Sequence, residues 1–260
     1  MSNEPKGAMH FEGRKSIGAM EAAENQRRWD EKHYQTVNKK PLHWYDITRA
    51  HLNFEVAKGG IIQKIGTSKP VEERFKERLE ELGVKPNPEV KKNDPAASKM
   101  SNQIVEFVFS GDHEVMNMMA FGNQAVDFER DGTADNSHIR RMNEIEQWAT
   151  DLYGWMAKKY GEENIIGFDV HLDETTAHCH ATIIPVVMRT EKKTGRERPV
   201  VSYKGLFGKD KATGQEIMKE LHTELYEQVN SKYGLMRGDP VEISGAQHKD
   251  KVQMYYQLKR

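Results

Sequence analysis

The sequence predicts an α+β fold, an antiparallel central sheet with helices packed on one face. Three observations carry that expectation. Two strands, about 165–171 and 178–187, are joined by a short polar link, Leu172 to Ala177. Ahead of them Met142, Ile145, Ala149, Leu152 and Met156 recur at helical spacing, which makes one apolar face. The order strand, helix, helix, strand, strand with long helices then suits a sheet with helices laid against it.

Taken in order, residues 8–11 form a short extended stretch and 17–30 a helix-like run. Residues 39–46 carry Pro41 and read as a loop. Residues 51–56 (HLNFEV) alternate like a strand, with Leu52, Phe54 and Val56 on one face. Ser68-Lys69-Pro70 starts a helix that carries Phe75, Leu79 and Leu82 and stops at Gly83. Residues 83–99 hold Pro86, Pro88 and Pro95 and read as a surface loop. Residues 103–109 (QIVEFVF) are apolar enough for a central strand. Asp112 caps a helix through Val115, Met118 and Met119, and Asn136 or Ser137 starts the longer helix that Gly161 ends. After the strand pair comes a basic, hairpin-like loop, then a helix over about 215–233 stopped by Gly234.

Composition narrows the class. The 260 residues carry 39 Lys+Arg and 40 Asp+Glu, a net charge of -1. The longest apolar run, 183–188, is far short of the ~20 residues of a membrane span. The N-terminus lacks the apolar core of a secretory signal, so a cytoplasmic location is expected. Cys179 is the single cysteine, which excludes an intramolecular disulfide and a CxxC zinc cluster.

The chemistry concentrates in 167–187, GFDVHLDETTAHCHATIIPVV. Strand alternation puts His178, His180, Thr182 and Ile184 on one face, and Cys179, Ala181 and Ile183 on the other. On the preceding strand His171, Asp169 and Gly167 face together, opposite Val170, Phe168 and Ile166. If the strands pair, His171, His178 and His180 converge as a metal site with open positions for chemistry. Asp173 and Glu174 in the link can reach a ligand, a water or a bound hydroxyl. Ligand type alone suggests Zn²⁺, whereas added phosphate oxygens favour Mn²⁺ or Mg²⁺.

HLDETTAHCH resembles the H-x-D-E-(S/T)-x-P-H-x-H motif of MobV-type relaxases, the Mob/Pre plasmid mobilisation and recombination family of HUH endonucleases. Ala177 stands where that motif usually has proline. HLNFEV is similar to the family's H-L-N-Y-E-L. Gln247-His248-Lys249 and Tyr255-Tyr256 resemble a segment that closes the relaxase domain. The resemblance implies a HUH relaxase-like domain over 1–235, a C-terminal extension over 236–260 that starts a helix, and a homodimer made through a region beyond this chain. It also implies an activity: one strand is nicked at a plasmid or transposon origin of transfer through a covalent protein–DNA intermediate, then rejoined. His171, His178 and His180 become the metal ligands and Glu174 the proton acceptor.

The family's H-N-x-R motif appears here as Glu24-Asn25-Gln26-Arg27, with glutamate in the histidine position. Three readings stay open: Glu24 attacks, with Asn25 beside it; Tyr34, Tyr45, His33 or His43 attacks; or the protein binds DNA and nicks poorly. Residues 186–214 contain eight basic and three acidic residues, net +5, and suggest an arm on DNA phosphates. Arg189, Lys192, Lys193, Arg196 and Arg198 are its candidates, with Arg27, Arg49 and Asn53 nearer the scissile site. Trp44, Tyr45 and Phe54 are candidates for base stacking. The expected partner is an origin presented as a hairpin plus a single strand. Competing readings are a HUH replication initiator or transposase, a DNA-binding relative with a metal but no nicking, and a small-molecule metallohydrolase with a deep apolar pocket.

Overall fold

The computed structural model of the chain describes residues 4–39, 44–88, 95–129 and 133–238. Six antiparallel strands make one sheet: β1 (Gly7–Arg14), β2 (Phe54–Ala57), β3 (Ile61–Lys64), β4 (Ile104–Gly111), β5 (Ile165–His171) and β6 (His178–Ile183). Their order across the sheet is β1-β4-β6-β5-β2-β3, so the histidine strands β5 and β6 are central. A separate two-stranded ribbon follows, β7 (Val186–Thr190) with β8 (Glu197–Val201). The helices are α1 (Ala19–Asn25), α2 (Glu31–Val37), α3 (Val71–Glu81), α4 (Pro95–Lys99), α5 (His113–Phe121), α6 (Asn143–Tyr160), α7 (Tyr203–Phe207) and α8 (Lys211–Gln228).

One sheet face offers Phe107, Phe109, Phe168, Val170, Cys179 and Ala181 to α6 and α8, which bring Trp148, Leu152, Met156, Leu221 and Leu225. This is the larger core, and it uses the alternation read from the sequence. The other face is not left bare: Ala22 of α1 and Val71, Phe75 and Leu79 of α3 cover Ile104, Ile166 and Ile184 at the far end of the strands. Helices therefore lie on both faces. Ile166 was expected with Phe168 and Val170. A register shift between Ile165 and Gly167 turns it to the α3 side instead.

Several boundaries move for local reasons. The run 17–30 breaks after Asn25, because Arg27 takes φ 48° and Asp30 then caps a second helix through the His33 amide. Ala50–Leu52 is a 3-10 turn, so the HLNFEV strand begins only at Phe54; β3 was not anticipated. A short helix, α4, lies inside the stretch read as loop. The long helix α6 begins at Asn143, not at Asn136 or Ser137. Asn136 is instead fully buried, donating to the Asp46 carboxylate and the Asp127 carbonyl. Asp112 does cap α5, accepting from the Glu114 and Val115 amides. Gly161 ends α6 at φ 82°, where a side chain would be strained. β6 ends at Ile183 because Pro185 has no N–H to extend the ladder. The last described segment adds to the sheet edge, with Gly7 N–H donating to the Met236 carbonyl at 2.8 Å. The rest of the extension, with Gln247-His248-Lys249 and Tyr255-Tyr256, lies outside the described residues, as does His43.

β1 and β4 place Glu12 opposite Glu106, a like-charge pair. Arg14 Nε is 2.6 Å from Glu106, yet neither carboxylate oxygen receives a well-aligned hydrogen bond. Burial, then Glu21 and Glu12, outweigh Arg14 and push the Glu106 carboxyl up to about 7. The folded state then binds more protons than the unfolded state between about pH 4.5 and 7. Stability from this group is present below that window and lost as pH rises through it, roughly 3 kcal/mol in all. Glu106→Gln is expected to remove that slope and to melt higher than the parent at pH 8. Thermal melts of both from pH 5 to 8 check this; parallel curves would contradict it.

Candidate metal centre

Three strand positions build the centre. His171 closes β5 and His178 opens β6, directly opposite it in register; His180 follows two residues on. Their rings lie 4.9–5.1 Å apart, and one nitrogen from each falls within 4.8 Å of the others. The tautomers of the first two rings are fixed from behind. His171 Nε2 donates to the Asn25 carbonyl at 2.7 Å and His178 Nδ1 to the Thr176 carbonyl at 2.8 Å. The remaining lone pairs, on His171 Nδ1 and His178 Nε2, face one another at 3.4 Å. Two nitrogens about 2.1 Å from a tetrahedral ion are separated by about 3.4 Å, so the His171–His178 pair is spaced to hold a divalent cation, with a His180 nitrogen within 4.8 Å of both. Burial, then the Arg27 cation and the other two imidazoles, hold the His171 pKa well below its usual value, keeping the ring neutral as a ligand must be.

The loop between the strands is clamped on all sides. Arg27 pairs in bidentate fashion with Asp173, Nε and Nη2 each at 2.9 Å, and reaches Glu174 at 2.7 Å. Burial opposes the Arg27 charge, and the two carboxylates more than restore it. Arg49 donates to the Leu172 and Glu174 carbonyls while its Nε binds Asp46. Asn53 accepts the Leu172 amide at 2.6 Å, and Asn117 donates to the Thr175 carbonyl. Glu174 is thereby held 3.5 Å from His178 Nε2 and 3.8 Å from His171 Nδ1.

Arg27, Arg49 and Asn53, expected to touch DNA, are thus 8%, 2% and 1% exposed and engaged with the loop. The reason is the buried Asp173, fully enclosed, which needs a cation inside the fold. Asp46 and Asn136, in loops, and Asn117, within α5, were not singled out for this site, because a lone polar residue carries no periodic signal. Glu24 sits half-buried at the end of α1, with its Oε1 accepting from Tyr45 Oη at 2.6 Å. Asn25 contributes its carbonyl to His171. Tyr45 and Tyr34 are only 2% and 6% exposed, and Phe54 is wholly in the core rather than free to stack on bases. Burial pushes the Tyr34 phenol up to about 12 and, with Glu174 and Glu24, raises that of Tyr45 further. His33 is exposed and stacks on Trp29.

Arg189, Lys192, Lys193, Arg196 and Arg198 are exposed on the ribbon and its tip. A cavity of 380 Å³ opens elsewhere, between α3 and β5, and is lined by charged residues such as Arg74, Glu77 and Arg78 and by none of the three histidines. Among the described residues no helix is long and apolar enough to cross a membrane.

A histidine–hydrophobe–histidine pair on a central antiparallel strand, completed by a third histidine from its neighbour, defines a protein of the HUH class. The Mob/Pre family, described as plasmid recombination enzyme, matches residues 89–257, and the chain belongs to it. A plasmid recombination enzyme type 1 from Staphylococcus aureus is 30% identical over 107 residues, 41% of this chain. The matched part spans 23% of that relative's length. Among solved structures, the relaxase domain of MobM bound to plasmid pMV158 oriT DNA, with manganese at pH 6.8, superposes with TM-score 0.60 at 20% identity, covering 97% of this chain and 99% of that one. The same domain at pH 5.5 gives 0.59, again at 20% identity with the same coverage. At that identity the likeness concerns the fold.

Proposed function

We propose that the protein is a relaxase, which nicks one strand of a plasmid or transposon at an origin of transfer and rejoins it through a covalent protein–DNA intermediate. The observation that carries this reading is the convergence of His171, His178 and His180, lone pairs facing, beside the clamped Glu174 in a Mob/Pre chain. A bound divalent ion polarises the scissile phosphate and neutralises developing charge. Manganese is favoured, since phosphate oxygens would complete the site and the MobM domain holds that ion. Such DNA places the protein in the cytoplasm.

Glu24 is the attacking group. It occupies the family's histidine position and is the candidate that is both accessible and joined to the loop, through Arg27 Nη1 on its backbone carbonyl at 2.7 Å. As its oxygen bonds to phosphorus, the bond to O3′ breaks and O3′ takes a proton. In rejoining, the 3′ hydroxyl attacks the acyl phosphate and gives that proton to Glu174; nicking returns it by the same path. Asn25 acts through its carbonyl by orienting His171, and Arg27, Arg49 and Asn53 position the loop. Arg189, Lys192, Lys193, Arg196 and Arg198 contact DNA. Purified protein with Mn²⁺ and supercoiled plasmid carrying the DNA around its gene is expected to yield open circles, and chelation to prevent them. Supercoiled substrate left intact at every metal tested would contradict the reading.

A carboxylate nucleophile makes a distinctive adduct. The protein–DNA bond is expected to be cleaved by neutral hydroxylamine, as acyl phosphates are, and to be lost in Glu24→Gln while Tyr45→Phe retains it. A hydroxylamine-stable adduct would assign the attack to another residue.

A further inference from the structure

We infer that the cavity between α3 and β5 is a binding site, separate from the metal centre, for a small organic anion: an apolar body that carries a phosphate or carboxylate group. The site does not depend on the relaxase reading. It opens where the sheet parts. β2 pairs with β5 only at Phe54–Val170 and Glu55–Asp169; beyond that point Val56 and Ala57 stay with β3, while Gly167 and Phe168 stay with β6. The gap between the diverging strands is closed on one side by α3 and has a volume of 380 Å³. That is near the small end of ligand pockets, about 300–1,000 Å³. Gly167 in its wall lies four residues before His171, about 13 Å along the strand.

Charge selects the ligand. The acids that line the cavity are already engaged. Glu77 pairs with Lys69 at 2.5 Å and Glu81 with Arg78 at 2.8 Å, and Glu163 lies 3.7 Å from the same guanidinium. Glu162 accepts from the Gly59 amide at 2.6 Å and from the Tyr153 hydroxyl at 3.1 Å. Two cations of the wall, Lys58 and Arg74, form no ion pair among the described residues. Arg74 donates only through Nε, to the Lys69 carbonyl at 3.0 Å, which leaves the terminal nitrogens of its fork for a ligand. Burial lowers the Arg74 pKa against the pull of Asp169 and Glu55, so the half-buried charge is under-compensated. A guanidinium fork matches two oxygens of a phosphate or carboxylate, and the exposed Lys58 adds a point charge. Val56, Ile166 and Phe168, all buried, supply an apolar wall for the body of the ligand.

The test is a titration of the metal-free protein, followed by backbone amide shifts in ¹H–¹⁵N spectra, with phenyl phosphate, benzoate, inorganic phosphate and phenol as probes. Phenyl phosphate or benzoate is expected to move the amides of Lys58 and Ile165 to Phe168 with a Kd of about 1 mM or tighter, as suits a fragment of this size. The amides of His178 and His180 are expected to stay in place, and the tighter probe names the anionic group. Arg74→Gln is expected to weaken binding about tenfold, through loss of the charge-assisted fork. Lys58→Ala, at an exposed side chain with no partner in the fold, is expected to weaken it about threefold. His178→Ala is expected to bind as the parent does. Phenol bound as tightly as either anion, or inorganic phosphate as tightly as phenyl phosphate, would overturn the inference. So would anion binding unchanged in both cation variants, shifts centred on the histidines, or no shift up to about 10 mM of either organic anion.

Discussion

His178→Ala is expected to slow nicking by about three orders of magnitude. An imidazole removed from a three-histidine site leaves an ion that is weakly held and no longer fixed against the phosphate. Losing about 4 kcal/mol of transition-state charge stabilisation corresponds to a factor of about 10³. The fold is expected to survive, because the His178 side chain is 14% exposed and lies at the start of its strand. Calorimetric titration of the metal-free protein with Mn²⁺ should show one site in the parent and none of comparable affinity in the variant. Parent-like nicking by His178→Ala would remove the metal centre from the mechanism.

Arg27→Met is expected to cost about 3–5 kcal/mol of stability, an effect a surface ion pair would not show. The Asp173 side chain is fully buried and its two oxygens both meet Arg27. Without the guanidinium it is a buried charge with no cation. The same change frees Glu174 and releases the carbonyl of Glu24, so activity should fall together with stability. Arg27→Met combined with Asp173→Leu should recover much of the lost stability without recovering nicking, since apolar replacement of a buried pair is often neutral. Urea denaturation of the parent and both variants checks this; a loss below about 1 kcal/mol in the single variant would mean the clamp is not structural.

The convergence of the three histidines was legible because its signal is periodic. Alternation on two strands fixes which side chains share a face, and pairing brings His171, His178 and His180 together whatever the rest of the chain does. The long helices were legible for the same reason, from the 3-and-4 spacing of α6. The clamp was not. Arg27 and Arg49 look like phosphate-binding arginines in a sequence, and only the enclosure of Asp173 and the loop carbonyls by distant segments turns them inward. Asn136 illustrates the same limit: its type suits a helix cap, but the polar groups of Asp46 and Asp127 claim it. The register shift that redirects Ile166, and Arg27 in the left-handed region at φ 48°, are likewise set by tertiary packing.

Covalent strand transfer at the three-histidine centre is read most directly from the adduct itself. The protein would be incubated with Mn²⁺ and origin-bearing DNA, run on a denaturing gel, and the shifted band digested for mass spectrometry. A DNA-linked peptide containing Glu24 is expected, absent from His178→Ala. Open circles formed with no protein attached to either end would contradict it, since they would mean hydrolysis rather than strand transfer.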